Sequence, residues 1–170
     1  MRIIFVPGIK TWNFYLRNWK KELPEKFPRD EIIFLDQIFY FHFEHKKIEK
    51  IVENGVKIIS DGRPTKIIAH SFGGILAKTM IARAKNCRIE KLLTMASPHK
   101  MKIFGVRQAK NFLRTPEKIS APTFTFGGFF DTVVPFFWTK TENSIHQNFW
   151  SGHLQFLLSQ RIRKKILNEI

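Results

Sequence analysis

The feature that most constrains this chain is an alternation. Short apolar runs, rich in Ile, Val and Phe, are followed repeatedly by longer stretches with helical spacing. Arg2–Val6 reads as a strand that ends in the turn signal Pro7-Gly8. Trp12–Leu23 places Trp12, Tyr15, Leu16, Trp19 and Leu23 on one helical face and is expected to stop before Pro24. Glu31–Leu35 reads as a second strand. His45–Ile59 is expected to be a helix, with Ile48, Ile51, Val52, Val56 and Ile59 on one face, broken by Gly62-Arg63-Pro64. The pattern then repeats as a strand at Lys66–Ala69, a helix at Gly74–Arg83 and a strand at Lys91–Ala96. It continues as a short helix at Val106–Leu113, strands at Pro122–Phe126 and Ser144–Phe149, and a final helix at Leu154–Asn168.

Strands separated by helices pair in parallel, because each crossover must return to the starting edge. The expected fold class is therefore α/β: a three-layer α/β/α sandwich around a mostly parallel sheet of about six strands. At 170 residues, with no repeat or linker, the chain reads as a single domain. Ligands of such sheets bind beyond the carboxyl ends of the strands, so chemistry is sought there.

Composition excludes several classes. No apolar run reaches the length of a membrane-spanning helix. The apolar stretch Ile3–Val6 is too short for a secretory signal, and a cytoplasmic location is expected. The lone Cys87 excludes an internal disulfide and a multi-cysteine metal site, and no metal or cofactor is expected. Twenty-nine Lys and Arg against fourteen Asp and Glu leave a formal charge of +15. The basic residues are scattered apart from Arg161-Ile162-Arg163-Lys164-Lys165 and read as a solvated surface. No nucleic-acid signature accompanies them, and nucleic acid is not an expected partner.

The strongest chemical signal is Ile68-Ala69-His70-Ser71-Phe72-Gly73-Gly74, between a strand and a helix. A serine on so sharp a turn needs small neighbours two positions away, and Ala69 and Gly73 supply them. Taken alone, Ser71 also reads as a helix cap. A nucleophilic serine needs a base, and the base needs an orienting acid. Asp131 is the acidic residue that closely follows a strand and turn, at Gly127-Gly128-Phe129-Phe130-Asp131. Of the later histidines, His153 in Ser151-Gly152-His153 lies in a loop before the last helix, whereas His146 falls within a strand. His70 reads as structural. His42 and His45, with Glu44 beside them, lack a metal-binding spacing. Backbone donors for a developing oxyanion are expected at Phe72, after the serine, and at Ile9, in the loop after the first strand.

Together these residues resemble the α/β-hydrolase superfamily, in particular small lid-less bacterial lipases and lipase-like serine esterases. The resemblance rests on Phe5-Val6-Pro7-Gly8-Ile9, Ala69-His70-Ser71-Phe72-Gly73-Gly74, Ala96-Ser97-Pro98-His99, Gly128-Phe129-Phe130-Asp131-Thr132-Val133-Val134-Pro135 and Gly152-His153-Leu154. It departs at Pro7-Gly8, where such proteins usually carry His-Gly, and it matches a six-stranded core version of the fold.

The resemblance implies a Ser71–His153–Asp131 triad, an oxyanion hole at Ile9 and Phe72, and an acyl-enzyme intermediate. The implied substrate is a small-molecule or lipid ester. Thioesters, amides and phospholipids are alternatives on the same triad, as is a non-catalytic protein that binds an anionic partner. Ser97 to Ala121 leaves room for one short helix, so no cap or lid domain is expected. Phe129, Phe130 and Trp138 are candidate substrate-binding residues; Phe136 and Phe137 suit either an acyl groove or the core. An apolar mouth ringed by Lys and Arg would suit peripheral contact with an anionic membrane surface.

Overall fold

Continuous apolar runs such as Ile3–Val6 call for a sheet buried on both faces, and the computed structural model has that arrangement. It describes residues 1–38, 45–100 and 119–170. The helix expected at 106–113, and with it most of the stretch where a cap would fall, lies outside the described residues, as do His42 and Glu44.

The strands are β1 (Arg2–Val6), β2 (Glu31–Phe34), β3 (Thr65–His70), β4 (Ile89–Met95), β5 (Thr123–Gly128) and β6 (Ser144–Phe149). They form one six-stranded sheet in the order β2-β1-β3-β4-β5-β6, and every pairing is parallel. The helices are α1 (Asn13–Lys26), α2 (His45–Ile59), α3 (Gly73–Arg83), α4 (Gln155–Leu158) and α5 (Gln160–Asn168).

Side chains that alternate along a strand enter opposite layers. Ile3 and Phe5 of β1, Ile68 of β3, and Leu93 and Met95 of β4 join Leu16, Trp19 and Leu23 of α1, with Phe156, Ile162 and Ile166 of the C-terminal helices. The intervening residues Ile4, Val6, Ile67, Ala69 and Leu92 pack against α2 and α3. The apolar face expected for α2 is the one turned inward, with Ile48, Ile51, Val52 and Ile59 buried. No helix among the described residues is long and apolar enough to cross a membrane.

Two boundaries differ from expectation. Helix α1 continues through Pro24 to Lys26. A proline in the last turn forfeits only one of the closing backbone bonds, and the amide of Phe27 still reaches the Leu23 carbonyl at 2.9 Å. The single C-terminal helix is instead two. Ser159 adopts an extended conformation between them and caps α5. The break turns the chain so that Phe156 and Leu157 before it, and Ile162 and Ile166 after it, all reach the same core.

The basic C-terminal run is not wholly solvated either. Arg163 is buried and clamps three helices. Its guanidinium donates to Glu22 of α1 at 2.9 and 2.6 Å, and to the Leu157 carbonyl of α4 at 3.0 Å. Such a bidentate, charge-assisted contact fixes orientation as well as energy. Arg2, at the start of β1, is held in the same way, by Asp61 at 3.1 and 2.6 Å and by Glu31 at 3.2 Å. That contact holds the Asp61 carboxyl down at about 2.

Arg163→Ala strands the Leu157 carbonyl and leaves the half-shielded Glu22 carboxylate without its cation. We expect it to cost about 2–3 kcal/mol in urea unfolding followed by circular dichroism. Arg161→Ala, two residues away and exposed, should cost less than about 0.5 kcal/mol.

Candidate active site

In an open parallel sheet a crevice forms where successive connections leave in opposite directions. Here that point lies between β1 and β3: the chain leaves β1 towards β2 on one side, and β3 pairs on the other. Ser71 stands at the carboxyl end of β3, and the loop Pro7-Gly8-Ile9 at the carboxyl end of β1.

Ser71 has φ 55°, a left-handed conformation that costs a non-glycine residue about 1 kcal/mol. The surrounding bonds enforce it. The Ser71 amide donates to the Met95 carbonyl at 2.8 Å, and the Ser71 carbonyl accepts from Gly74 at 3.0 Å. Helix α3 begins immediately after the turn. At Gly73 a Cβ would lie 2.2 Å from the Val6 carbonyl oxygen, so only glycine lets α3 pack this closely on β1. At Gly8 a Cβ would lie 2.7 Å from Ser71 Cβ and 2.9 Å from the His70 carbonyl oxygen. The loop therefore rests directly on the serine. Its far side is tied down by a bond of 2.7 Å from the Lys10 amide to the Ile38 carbonyl.

Three polar side chains from three separate loops meet at this point. His153 Nε2 is 3.0 Å from Ser71 Oγ, and His153 Nδ1 is 2.8 Å from Asp131 Oδ2. The other Asp131 oxygen accepts the backbone amides of Val133 and Val134 at 2.9 and 2.8 Å. Asp131 thus caps its own turn and holds the histidine at once. Its side chain is fully buried and acceptor-only when ionised, so Nδ1 carries the proton and donates to it. Nε2 is then left as an acceptor facing Ser71 Oγ. The loops are brought together by backbone bonds that continue the β5–β6 pairing: Phe129 donates to the Phe149 carbonyl at 2.9 Å and Phe130 to the Ser151 carbonyl at 3.1 Å.

The aromatic residues singled out in the sequence divide. Phe129 and Phe130, which precede Asp131, are exposed. Trp138 lies further along a chain of ring contacts that runs from Phe129 through Phe136 and Phe137. Trp150 went unnoticed in the sequence, yet its ring lies 4.9 Å from Phe129 and 5.6 Å from Phe130. Its position just after β6 and two residues before Gly152 was the available signal. His146 is engaged elsewhere, by Thr125 at 2.7 Å and Asn148 at 2.9 Å. Among the described residues no group of His, Cys, Asp or Glu could hold a metal ion.

His70 is a structural neighbour of the site. It is buried beneath the His153 loop, its Nε2 lies 3.2 Å from the His153 carbonyl, and the two rings are 4.8 Å apart. Burial pushes its pKa down to about 3, helped by the nearby His153. His99, bonded to Thr94 at 2.9 Å, is also pushed down to about 3, by burial and then by Lys78. Both are therefore neutral in the fold.

The ordinary value is 6.5, so between pH 6.5 and 3 the unfolded chain binds protons that the folded chain refuses. Stability is full above that window and falls as pH drops through it. In urea titrations over this range, His99→Gln should remove about 1.4 kcal/mol per pH unit from the slope.

Comparison with known proteins places the fold. No curated protein matches the chain in sequence. Among solved structures, the ydeN gene product of B. subtilis superposes with a TM-score of 0.75 at 13% identity, over 99% of this chain and 97% of that one. An esterase from Exiguobacterium antarcticum gives 0.68 at 13% identity, over 99% and 90%. A YdeN-like hydrolase from Pectobacterium atrosepticum gives 0.68 at 18% identity, over 98% and 89%. These likenesses identify the fold as that of the α/β-hydrolases, in a six-stranded, all-parallel form. Residues 33–149, well over half of the sequence, match a single family, and the chain belongs to the PGAP1-like alpha/beta domain family.

Proposed function

We propose that this protein is a serine hydrolase that cleaves carboxylic esters with lipophilic acyl groups through an acyl-enzyme intermediate. The observation that carries this reading is the continuous file of hydrogen bonds from Asp131 through His153 to Ser71, ending on a strained turn at a helix N-terminus. A structural serine needs neither the strain nor a histidine oriented by a buried carboxylate.

In this mechanism Ser71 Oγ bonds to the acyl carbon as its proton passes to His153 Nε2. The carbonyl electron pair moves onto oxygen. Asp131 holds the ring and stabilises the imidazolium that forms. The backbone amides of Ile9 and Phe72 receive the oxyanion, aided by the positive end of α3. Collapse of the intermediate breaks the bond to the leaving oxygen, which takes the proton from Nε2. Water then repeats the sequence, with His153 as base, and releases the acid and free Ser71. The lipophilic acyl group is supported by Phe129, Phe130 and Trp138, with Trp150 tilted against the first two.

Labelling with a fluorophosphonate, read by intact mass, tests the reading. One adduct is expected on the wild type and none on Ser71→Ala. Label on both proteins, or on neither, overturns it. With a series of p-nitrophenyl esters, Asp131→Asn should lower kcat by roughly 10³–10⁴-fold while the fold is retained. Gly8→Ala pushes the loop off Ser71 and should lower kcat by roughly 10²-fold or more, with a smaller change in KM. Matched thioester and amide substrates decide which acyl bond is preferred.

A further inference from the structure

The geometry points to a docking surface for an anionic lipid membrane, built from the aromatic shelf beside the Ser71 site and a basic cleft that adjoins it. The shelf consists of Phe129, Phe130, Phe137 and Trp150, joined through Phe136 by ring contacts of 4.9–5.6 Å. Trp150 is 78% exposed and Phe130 64%, unusual for side chains of this size. A core role does not account for them.

Trp150 also lines a cleft of about 330 Å³ between the end of β6 and α5. The charged residues of that cleft are Arg161 and Lys165, with Gln147, Asn148 and Gln155 around them and no carboxylate. Arg161 and Lys165 stand four residues apart on α5 and so share one face. Both are exposed, and among the described residues neither forms an ion pair with an acid; the Lys165 ammonium lies 5.7 Å from the centre of the Phe149 ring. Their neighbour Arg163 is neutralised by Glu22 and Lys164 lies outside the cleft, so Arg161 and Lys165 are the cations that face it.

Adjacent apolar rings and unpaired cations match a bilayer interface, where rings enter the headgroup level and cations meet lipid phosphates. The formal charge of +15 draws the molecule to an anionic leaflet and opposes pairing with a second copy of itself. Phe129 and Phe130 precede Asp131 directly, so docking by this face turns the mouth of the Ser71 site towards the lipid. That consequence rests on the hydrolase reading above, whereas the docking does not require turnover.

Co-sedimentation with sucrose-loaded vesicles measures the contact. Vesicles of phosphatidylcholine alone are compared with vesicles carrying roughly 30% phosphatidylglycerol. Wild type and Ser71→Ala should bind the anionic vesicles equally, and the neutral ones at least about tenfold more weakly. Arg161→Gln with Lys165→Gln should weaken anionic binding by roughly 25-fold, at about a factor of five per charge. Trp150→Ala should weaken it by roughly tenfold. Hydrolysis of a short soluble ester by the Arg161→Gln/Lys165→Gln protein, expected at the wild-type rate, serves with circular dichroism as the folding control. Equal binding to both vesicles, wild-type binding by the charge variant, or complete release by inorganic phosphate at constant ionic strength would each overturn the proposal. Charge-dependent docking without ester hydrolysis would leave the surface standing and sink the enzymatic reading alone.

Discussion

The parallel pairing of β1 with β3 is the constraint on which the site depends. With Val6 opposite Ala69, the two strands end within one residue of each other. The chain must then turn away in two directions within the space of a few residues. Gly8 and Gly73 are the residues that let this happen: the first rests on Ser71, the second on the Val6 carbonyl. A slip of one residue would exchange the faces of every side chain on the strand and carry Ser71 out of register with the loop. The strained serine is thus not an isolated oddity; the hydrogen bond from its amide to β4 and the start of α3 hold it in place.

Charge is distributed with a similar division of labour. Arg2 and Arg163 look in the sequence like two more surface cations, but both are buried and clamp helices to neighbouring elements. The histidines divide as well. His70 and His99 are kept neutral by burial, and among the described residues His153 alone is aligned between a carboxylate and a serine. One residue type serves as packing in one case and as a polarised acceptor in the other. Asp131 decides which, because its second oxygen is already committed to two backbone amides and cannot turn away.

Much of this was legible before any coordinates. Strands and helices with strong periodicity, such as Arg2–Val6, His45–Ile59 and Ser144–Phe149, fall where their spacing puts them. Ser71, Asp131 and His153 could be selected because each follows a strand and is flanked by small or turn-forming residues. Pro24 and Ser159 misled in opposite senses. The first reads as a stop and is tolerated in a last turn. The second sits inside a continuous helical pattern and breaks it, since tertiary packing outweighs a local preference worth less than about 1 kcal/mol. For Trp150 the sequence offers only a position just after a strand; that its ring meets those of Phe129 and Phe130 follows from the pairing of β5 with β6.

The sequence by itself determined the fold class, the order of the strands and helices, and the residue types available at each strand's carboxyl end. It could do so because burial on both faces demands short continuous apolar runs in strands and a period of about 3.6 in helices, and both patterns are written locally. Only the tertiary structure decided which cations are buried and which face solvent, and which histidine meets the carboxylate. It also decided that the aromatic shelf and the basic cleft share Trp150. These are contacts between residues as far apart as Glu22 and Arg163, or Ser71 and His153. Their distances follow from how the layers pack, a property no local pattern encodes.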